Sequence, residues 1–348
     1  MGRRIALVLF NLGGPDRQEN IRPFLENLFK DPAIIRAPSP VRFLLSRFIS
    51  RTRAPAVREN YAMMDQPGGG SPLLPETEDQ AEALVAELRA RAPEDEFRAF
   101  IAMRYWHPFT HEAAEAVRAW SPDEVILLPL YPQFSSTTTG SSLGEWAKVY
   151  EGQVRTLCCY PFNGDFIEAH ARRILDCWKS AGEPGNVKLL MSAHGLPESV
   201  VKKGDPYQYQ VEEMTRRLVE KLPSDWETQV CYQSRVGPLK WIGPDTEEEV
   251  RAAAVDGKTI LIAPVAFVSE HIETLVELGE EYREVAEANG AQGYHTVPAL
   301  GTDALFIKAL ADETLATLSA DARLRSCEGG RLCPTEYGDC PFAREAAP

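Results

Sequence analysis

The 348-residue chain has no apolar run approaching the 18 or more residues that a membrane-spanning helix requires. Its first apolar stretch is only six residues, Ile5 to Phe10, before Asn11-Leu12-Gly13-Gly14-Pro15 turns the chain without a small-residue cleavage site. That pattern reads as a first strand, not a signal peptide, and points to a cytoplasmic protein. Positive charge is also short: 37 basic residues against 51 acidic ones leave a net charge of −14. A field of that sign repels phosphate backbones, so nucleic acid is not an expected partner. Phosphate loops are missing too. Neither G-x-G-x-x-G nor G-x-x-x-x-G-K-S/T occurs, and Gly68-Gly69-Gly70-Ser71-Pro72 is a turn, which argues against a nucleotide enzyme. No short repeat or low-complexity tract is present.

What is present is a well-packed globular composition, 44% hydrophobic and 25% charged, in a chain long enough for about two domains. Short β-branched runs (Ile5–Phe10, Phe100–Met103, Val125–Leu130, Val154–Cys159, Val187–Ser192, Thr228–Cys231, Thr259–Val265, Tyr294–Val297) alternate with helical patterns. Those patterns include Glu76–Arg91, His111–Trp120, Asp165–Ala181, Gln210–Leu222 and Ile272–Ala288. Continuously apolar strands spaced by helices predict parallel sheets covered on both faces. The expected fold is α/β: two doubly wound, Rossmann-like domains, each with a four-stranded parallel sheet, facing each other across a cleft. The boundaries read as 1–160, 161–318 and a cysteine-bearing extension, 319–348.

One segment opposes the global charge. Between residues 35 and 60 stand Arg36, Arg42, Arg47, Arg51, Arg53 and Arg58 against one acid, Glu59, interleaved with Val41, Phe43, Leu44, Leu45, Phe48 and Ile49. It reads either as an amphipathic helix packed on the core or as the lip of a cleft, apolar enough for a membrane surface or a flat ligand.

Ligands in open parallel sheets bind beyond the carboxyl ends of the strands. One such end delivers His194 in His194-Gly195-Leu196-Pro197, and another delivers Ser269-Glu270-His271-Ile272-Glu273. Glu270 and Glu273 would serve as ordinary helix-start acids. Yet Glu273, Glu277 and Glu281 recur at i, i+4, i+8, stacking three carboxylates on one helical face, where like charges repel. Such a row is either solvated or used for protons or hard cations. Histidine with carboxylate suits a divalent ion such as Fe2+ in an open site, and equally suits proton acceptance.

Several motifs together resemble the ferrochelatase family. They are Ser192–Pro197, Gly204-Asp205-Pro206-Tyr207, Tyr232-Gln233-Ser234-Arg235-Val236-Gly237-Pro238, Trp241-Ile242-Gly243-Pro244 and Ser269–Leu275. The first half adds Asn11–Pro15, Gly69–Pro72, Met103-Arg104-Tyr105 and Tyr131–Ser142, so the likeness spans roughly residues 5–315 in family order. The resemblance implies insertion of Fe2+ into protoporphyrin IX, the last step of haem synthesis. It also implies His194 opposite Glu273 as metal and proton acceptors, with Glu277 and Glu281 conducting iron in or protons out. Leu12, Tyr61, Tyr105 and Trp241 would wall the macrocycle, Arg53, Arg58 and Ser234 would meet its propionates, and Arg104 would anchor the cleft. Where many families carry methionine this chain has Leu12. Coproporphyrin III is the nearer alternative substrate, although the apolar lip suits the less carboxylated ring. An iron–sulfur or metal-carrier protein on the same fold is the alternative of a different class. Monomer and homodimer both stay open.

Seven cysteines are unusual for a reducing compartment, where structural disulfides are rare. Cys327, Cys333 and Cys340 crowd into a Gly- and Pro-rich tail at x5 and x6 spacing. Some ferrochelatases hold a C-terminal [2Fe-2S] cluster whose fourth cysteine lies upstream, in the stretch matching Tyr131–Ser142. Here that stretch has Ser136 and no cysteine. The nearest replacements are Cys158 and Cys159 at a strand end, of which Cys158 is favoured; adjacent strand residues face opposite ways, so only one of the two should point at the tail. Cys177 and Cys231 read as buried small hydrophobes. The cluster is expected to be remote from His194 and Glu273.

Overall fold

All eight apolar runs form strands in the computed structural model, which describes residues 2–35, 37–64, 66–234 and 239–345. Arg36 of the arginine-rich segment and 235–238 of the Tyr232–Pro238 motif lie outside the described residues. The strands are β1 (Arg4–Asn11), β2 (Glu96–Met103), β3 (Glu124–Pro129), β4 (Arg155–Leu157), β5 (Val187–His194), β6 (Glu227–Gln233), β7 (Thr259–Pro264), β8 (Gly293–Thr296) and β9 (Leu324–Arg325). The helices of the first half are α1 (Ile21–Lys30), α2 (Ser39–Met63), α3 (Leu73–Arg91), α4 (Thr110–Trp120), α5 (Thr139–Val149) and α6 (Gly164–Ser180). Those of the second half are α7 (Glu198–Val201), α8 (Tyr207–Val219), α9 (Thr246–Val255), α10 (Tyr282–Ala288), α11 (Ala304–Ser319) and α12 (Pro341–Glu345). Helix starts follow local chemistry: Asn163 caps α6, Asp245 caps α9 and Asp303 caps α11, each side chain accepting from first-turn N–H groups.

Two parallel sheets result, ordered β2-β1-β3-β4-β9 and β6-β5-β7-β8. The expectation of four strands in each is corrected for the first sheet. The cysteine-bearing extension adds β9 to its edge, pairing Leu324 with Thr156 and Arg325 with Leu157. Two residues carry no periodicity, so no sequence pattern marked them. Strand β1 is buried at Ile5 through Phe10, with helices on both faces. One apolar core runs through both halves, joining Leu7 and Leu128 to Leu189 and Leu261 by way of α3, α6 and α11.

Two helices depart from the sequence pattern. The helix expected over Ile272–Ala288 splits into a π-helix, Glu273–Glu281, followed by α10. Wide turns of this kind concentrate at functional sites. In α2 the apolar stripe faces outward. Ser46, Ser50, Ala54 and Tyr61 are the buried positions, while Leu44 and Phe48 are 68% and 67% exposed and Val41, Phe43 and Leu45 are exposed as well. Small side chains let α2 approach α1 closely, and Ala54 and Tyr61 join a buried apolar cluster, so the helix packs on the body through a face other than its apolar stripe. Among the described residues no helix is long and apolar enough to cross a membrane.

Candidate active site

The carboxyl end of β5 carries His194, and the π-helix that follows β7 begins at Glu273. The two side chains meet, with His194 Nε2 3.4 Å from Glu273 Oε1. Both are partly exposed. His194 Nδ1 lies 2.7 Å from the Gly195 carbonyl oxygen, which can only accept, so Nδ1 carries a hydrogen and Nε2 is the ring nitrogen left for proton exchange. Trp241 packs onto the next residue: a Cβ on Gly195 would come within 3.2 Å of the indole ring and 2.9 Å of the Gln233 carbonyl oxygen. Glycine is what lets the ring lie against this backbone.

Glu273 is held on its other side by a buried residue that sequence reasoning left without a role. His271 Nε2 is 2.8 Å from Glu273 Oε2. Burial pushes the Glu273 carboxyl up, but the charge of His194 and the hydrogen bond and charge of His271 outweigh it and bring it down to about 2. Burial likewise disfavours protonated His271, yet the bond to Glu273 leaves it raised. Glu273 is therefore a fixed anion flanked by two imidazoles.

The rest of the acidic row runs outward. Glu277 accepts from Gln233 Nε2 (3.1 Å), Ser234 N (2.9 Å), Ser234 Oγ (2.5 Å) and Tyr282 Oη (2.8 Å). Its pKa is raised by burial and by the Glu273 charge, with the hydrogen bonds offsetting part. Both donors of Ser234 are thus engaged with Glu277. Exposed Glu281 accepts from Asn60 Nδ2 of α2 at 3.1 Å.

Leu12, Tyr61 and Tyr105 share one apolar cluster with Phe24 of α1, Ala54 of α2 and Val276 of the π-helix. Trp241 stands apart from it, beside His194. Tyr105 Oη donates to Asp31 Oδ2 (2.7 Å), as does Arg104 Nη2 (2.8 Å), and Arg104 Nε reaches Ser141 Oγ (2.8 Å). Arg104 therefore fastens the end of α1 to α5. Arg53 is exposed on α2, and Arg58 lines a cavity of about 480 Å3 with Arg22 and Lys30, away from His194.

The loop bearing Glu273 is clamped from the other half of the chain. Gln80 of α3 donates to the carbonyls of Val268 (2.9 Å) and Gly301 (3.1 Å) and accepts from Ser269 Oγ (3.1 Å). Glu76 accepts from the Glu270 N–H at 2.6 Å. Burial and the nearby Glu270 carboxylate lift the Glu76 carboxyl to about 7, despite that bond. Neither Glu76 nor Gln80 carries a local signal, since the partners lie 188 to 221 residues away.

The tail cysteines gather against the body. Cys158 and Cys159 lie just past the end of β4, in irregular chain, with their sulfurs 3.3 Å apart. The strand alternation expected to turn only one of the two towards the tail therefore does not apply. It is Cys159 that shares a partner with the tail: Gln210 Nε2 is 3.6 Å from Cys159 Sγ and 3.0 Å from Cys333 Sγ. Cys327 N–H also donates to the Cys159 carbonyl at 3.1 Å. The hydrogen bond with Cys333 pulls the Cys340 thiol down, towards the thiolate form that binds a metal. Ser136, at the place of the missing cysteine, donates from N and Oγ to buried Asp205, both at 2.7 Å. Cys231 is buried and Cys177 half-buried. Among the described residues no three His, Cys, Asp or Glu side chains already surround a single ion.

Residues 4–318 match the family described as Ferrochelatase. The ferrochelatase of Hyphomonas neptunium is 64% identical over 343 residues, covering 99% of this chain and 96% of that protein. That of Caulobacter vibrioides is 54% identical over 349 residues, covering 100% and 99%. Among solved structures, SirB from Bacillus subtilis with Fe3+ superimposes with a TM-score of 0.51 at 13% identity, over 91% of this chain and 96% of that one. That likeness speaks for the fold alone. The sequence comparisons reach further: this chain belongs to the ferrochelatase family.

Proposed function

We propose that this protein inserts Fe2+ into protoporphyrin IX, releasing two protons and yielding protohaem. The observation that carries the reading is the pairing of His194 Nε2 with the fixed anion Glu273 at facing element ends. Each pyrrole N–H must lose its proton as the metal binds, and His194 Nε2 is the acceptor in reach of the cleft. Glu273 attracts the cation and stabilises the imidazolium that forms when His194 takes a proton. His271 holds Glu273 in place, and the row through Glu277 to exposed Glu281 supports a route for charge between cleft and surface. Leu12 offers partly exposed apolar wall for the macrocycle, backed by the buried rings of Tyr61 and Tyr105, and Trp241 packs over Gly195 next to the acceptor.

The test is substitution at the pair. His194→Ala is expected to lower porphyrin metallation at least about a hundredfold, the lower end of what one general base contributes. Glu273→Gln is expected to do likewise, since the amide keeps the shape and loses the charge. Near wild-type turnover in both variants, with unchanged circular dichroism, would refute the reading.

A [2Fe-2S] cluster in the tail is part of the same proposal. Such a cluster takes four thiolates, two to each iron, so it asks for paired sulfurs rather than a single-ion site. Cys333 with Cys340, and Cys159 with Cys327, supply that donor set, and the low thiol pKa of Cys340 supports it. When bound, the group would supply a one-electron centre and fasten the tail to the body. Purified protein is expected to be red-brown, with Cys159→Ser bleaching it and Cys158→Ser retaining colour. The opposite pattern would move the fourth ligand to Cys158, and colourless, zinc-loaded protein would exclude the cluster.

The outward apolar face of α2, interspersed with exposed Arg47, Arg51 and Arg53, supports peripheral docking on an anionic membrane surface, where an apolar porphyrin partitions.

A further inference from the structure

Gln210 is fully buried in the first turn of α8, and its amide meets three separate segments of chain. Its Oε1 accepts from the Phe134 backbone N–H at 2.7 Å. Its Nε2 faces Cys333 Sγ at 3.0 Å and Cys159 Sγ at 3.6 Å. The orientation of the amide is settled by its partners. A backbone N–H can only donate, so the oxygen must face Phe134 and the two N–H donors must face the sulfurs.

The helix bearing Gln210 is held at its start. Asp205 accepts from Tyr207 N (3.0 Å) and from Ser135 Oγ (2.9 Å), and Gln210 N bonds the Pro206 carbonyl at 3.0 Å. The amide is thereby fixed in a dry site, where a dipole aimed at a charged sulfur acts at low dielectric. Arg331 approaches the same loop, but its hydrogen bonds go to the carbonyls of Cys333, Pro334 and Tyr337. Among the described residues, Gln210 is the side-chain amide aimed at the cysteine sulfurs.

We propose that Gln210 is the N–H···S donor that sets the reduction potential of the iron–sulfur group held by Cys159 and Cys333. The inference rests on the cluster reading above. When an external one-electron donor reduces the group, one negative charge is added and no bond to the protein breaks. Donors aimed at the sulfurs stabilise that added charge and raise the potential. Gln210 is a positioning residue and touches neither porphyrin nor the inserted iron.

Two variants separate the donor from the packing. Gln210→Glu keeps an acceptor for Phe134 N–H and removes the N–H donors, while Gln210→Leu removes both without adding charge. In dithionite titrations of the coloured holoprotein, both are expected to be reduced about tenfold less favourably than wild type, a fall of about 59 mV for a one-electron couple. An unshifted midpoint in coloured variants overturns the inference and leaves the cluster reading intact. A colourless wild-type protein overturns both. Where a variant loses its colour, the iron-free full chain is compared by iodoacetamide alkylation of Cys333. Alkylation several-fold slower than in iron-free wild type upholds the donor role, because a sulfur without its donor holds its proton more tightly. Equal rates overturn it.

Discussion

Two imidazoles around one carboxylate decide the character of the site. Without them, burial would hold the Glu273 carboxyl higher and disfavour the anion that meets a cation. His271 is thereby as consequential as the two residues it stands behind, although it accepts no substrate proton in this scheme. His271→Ala is expected to lower iron insertion roughly 10–100-fold, the usual effect of removing the partner that orients a metal-binding side chain. Wild-type rates in that variant would mean Glu273 holds its position and charge unaided. Glu76 gives a prediction of opposite kind, on stability. Its carboxyl titrates near 7 in the fold and near 4.5 when unfolded, so between those values the folded chain binds the extra proton. Stability from this group is complete below about pH 4.5 and is lost as pH rises through about 7. Glu76→Gln keeps an acceptor for the Glu270 N–H and cannot ionise. Discounted for partial exposure, it is expected to stabilise the protein by about 1–2 kcal/mol at pH 8 and by little at pH 4. Urea melts at the two pH values check this, and equal effects at both would contradict it.

At the scale of elements, the strands were legible because a buried parallel strand is a short continuous apolar run, and the chain has eight of them. The ends of β5 and β7 were legible for the same reason, and with them His194 and Glu273. What escaped was whatever two distant segments make together. The clamp of Glu76 and Gln80 on the Glu270 loop joins positions almost 200 residues apart, and nothing local announces it. Strand β9 is too short to show a period. Alternation does not separate Cys158 from Cys159, because β4 ends at Leu157 before either of them. The orientation of α2 was open because its stripe suits core or surface equally, and buried Ser46, Ser50 and Ala54 decide for surface. That face carries a prediction. Leu44→Glu with Phe48→Glu is expected to abolish co-sedimentation with anionic vesicles and to leave insertion into detergent-dispersed porphyrin unchanged, since neither side chain reaches His194. Undiminished vesicle binding would assign α2 to the cleft alone. The tail is seated by close backbone approach: Gly204, at φ +106°, leaves room for only 2.7 Å between a Cβ and Gly338 N. Gly204→Ala is expected to cost about 1–3 kcal/mol and to expose the tail to limited proteolysis.

For the whole molecule, a net charge of −14 surrounds one helix with an arginine-rich, apolar outer face, and one continuous core joins the two sheets. Such a body can hold a flat apolar ring while the acidic row on the π-helix deals with cations and protons. The account therefore turns on catalysis with one kind of ring. The most direct test is steady-state Fe2+ insertion by the wild-type protein, assayed side by side with protoporphyrin IX and coproporphyrin III. Many turnovers per protein with protoporphyrin IX, and slower conversion of coproporphyrin III, are the predicted result. Preference for coproporphyrin III, or iron bound stoichiometrically while both porphyrins stay free, would contradict it.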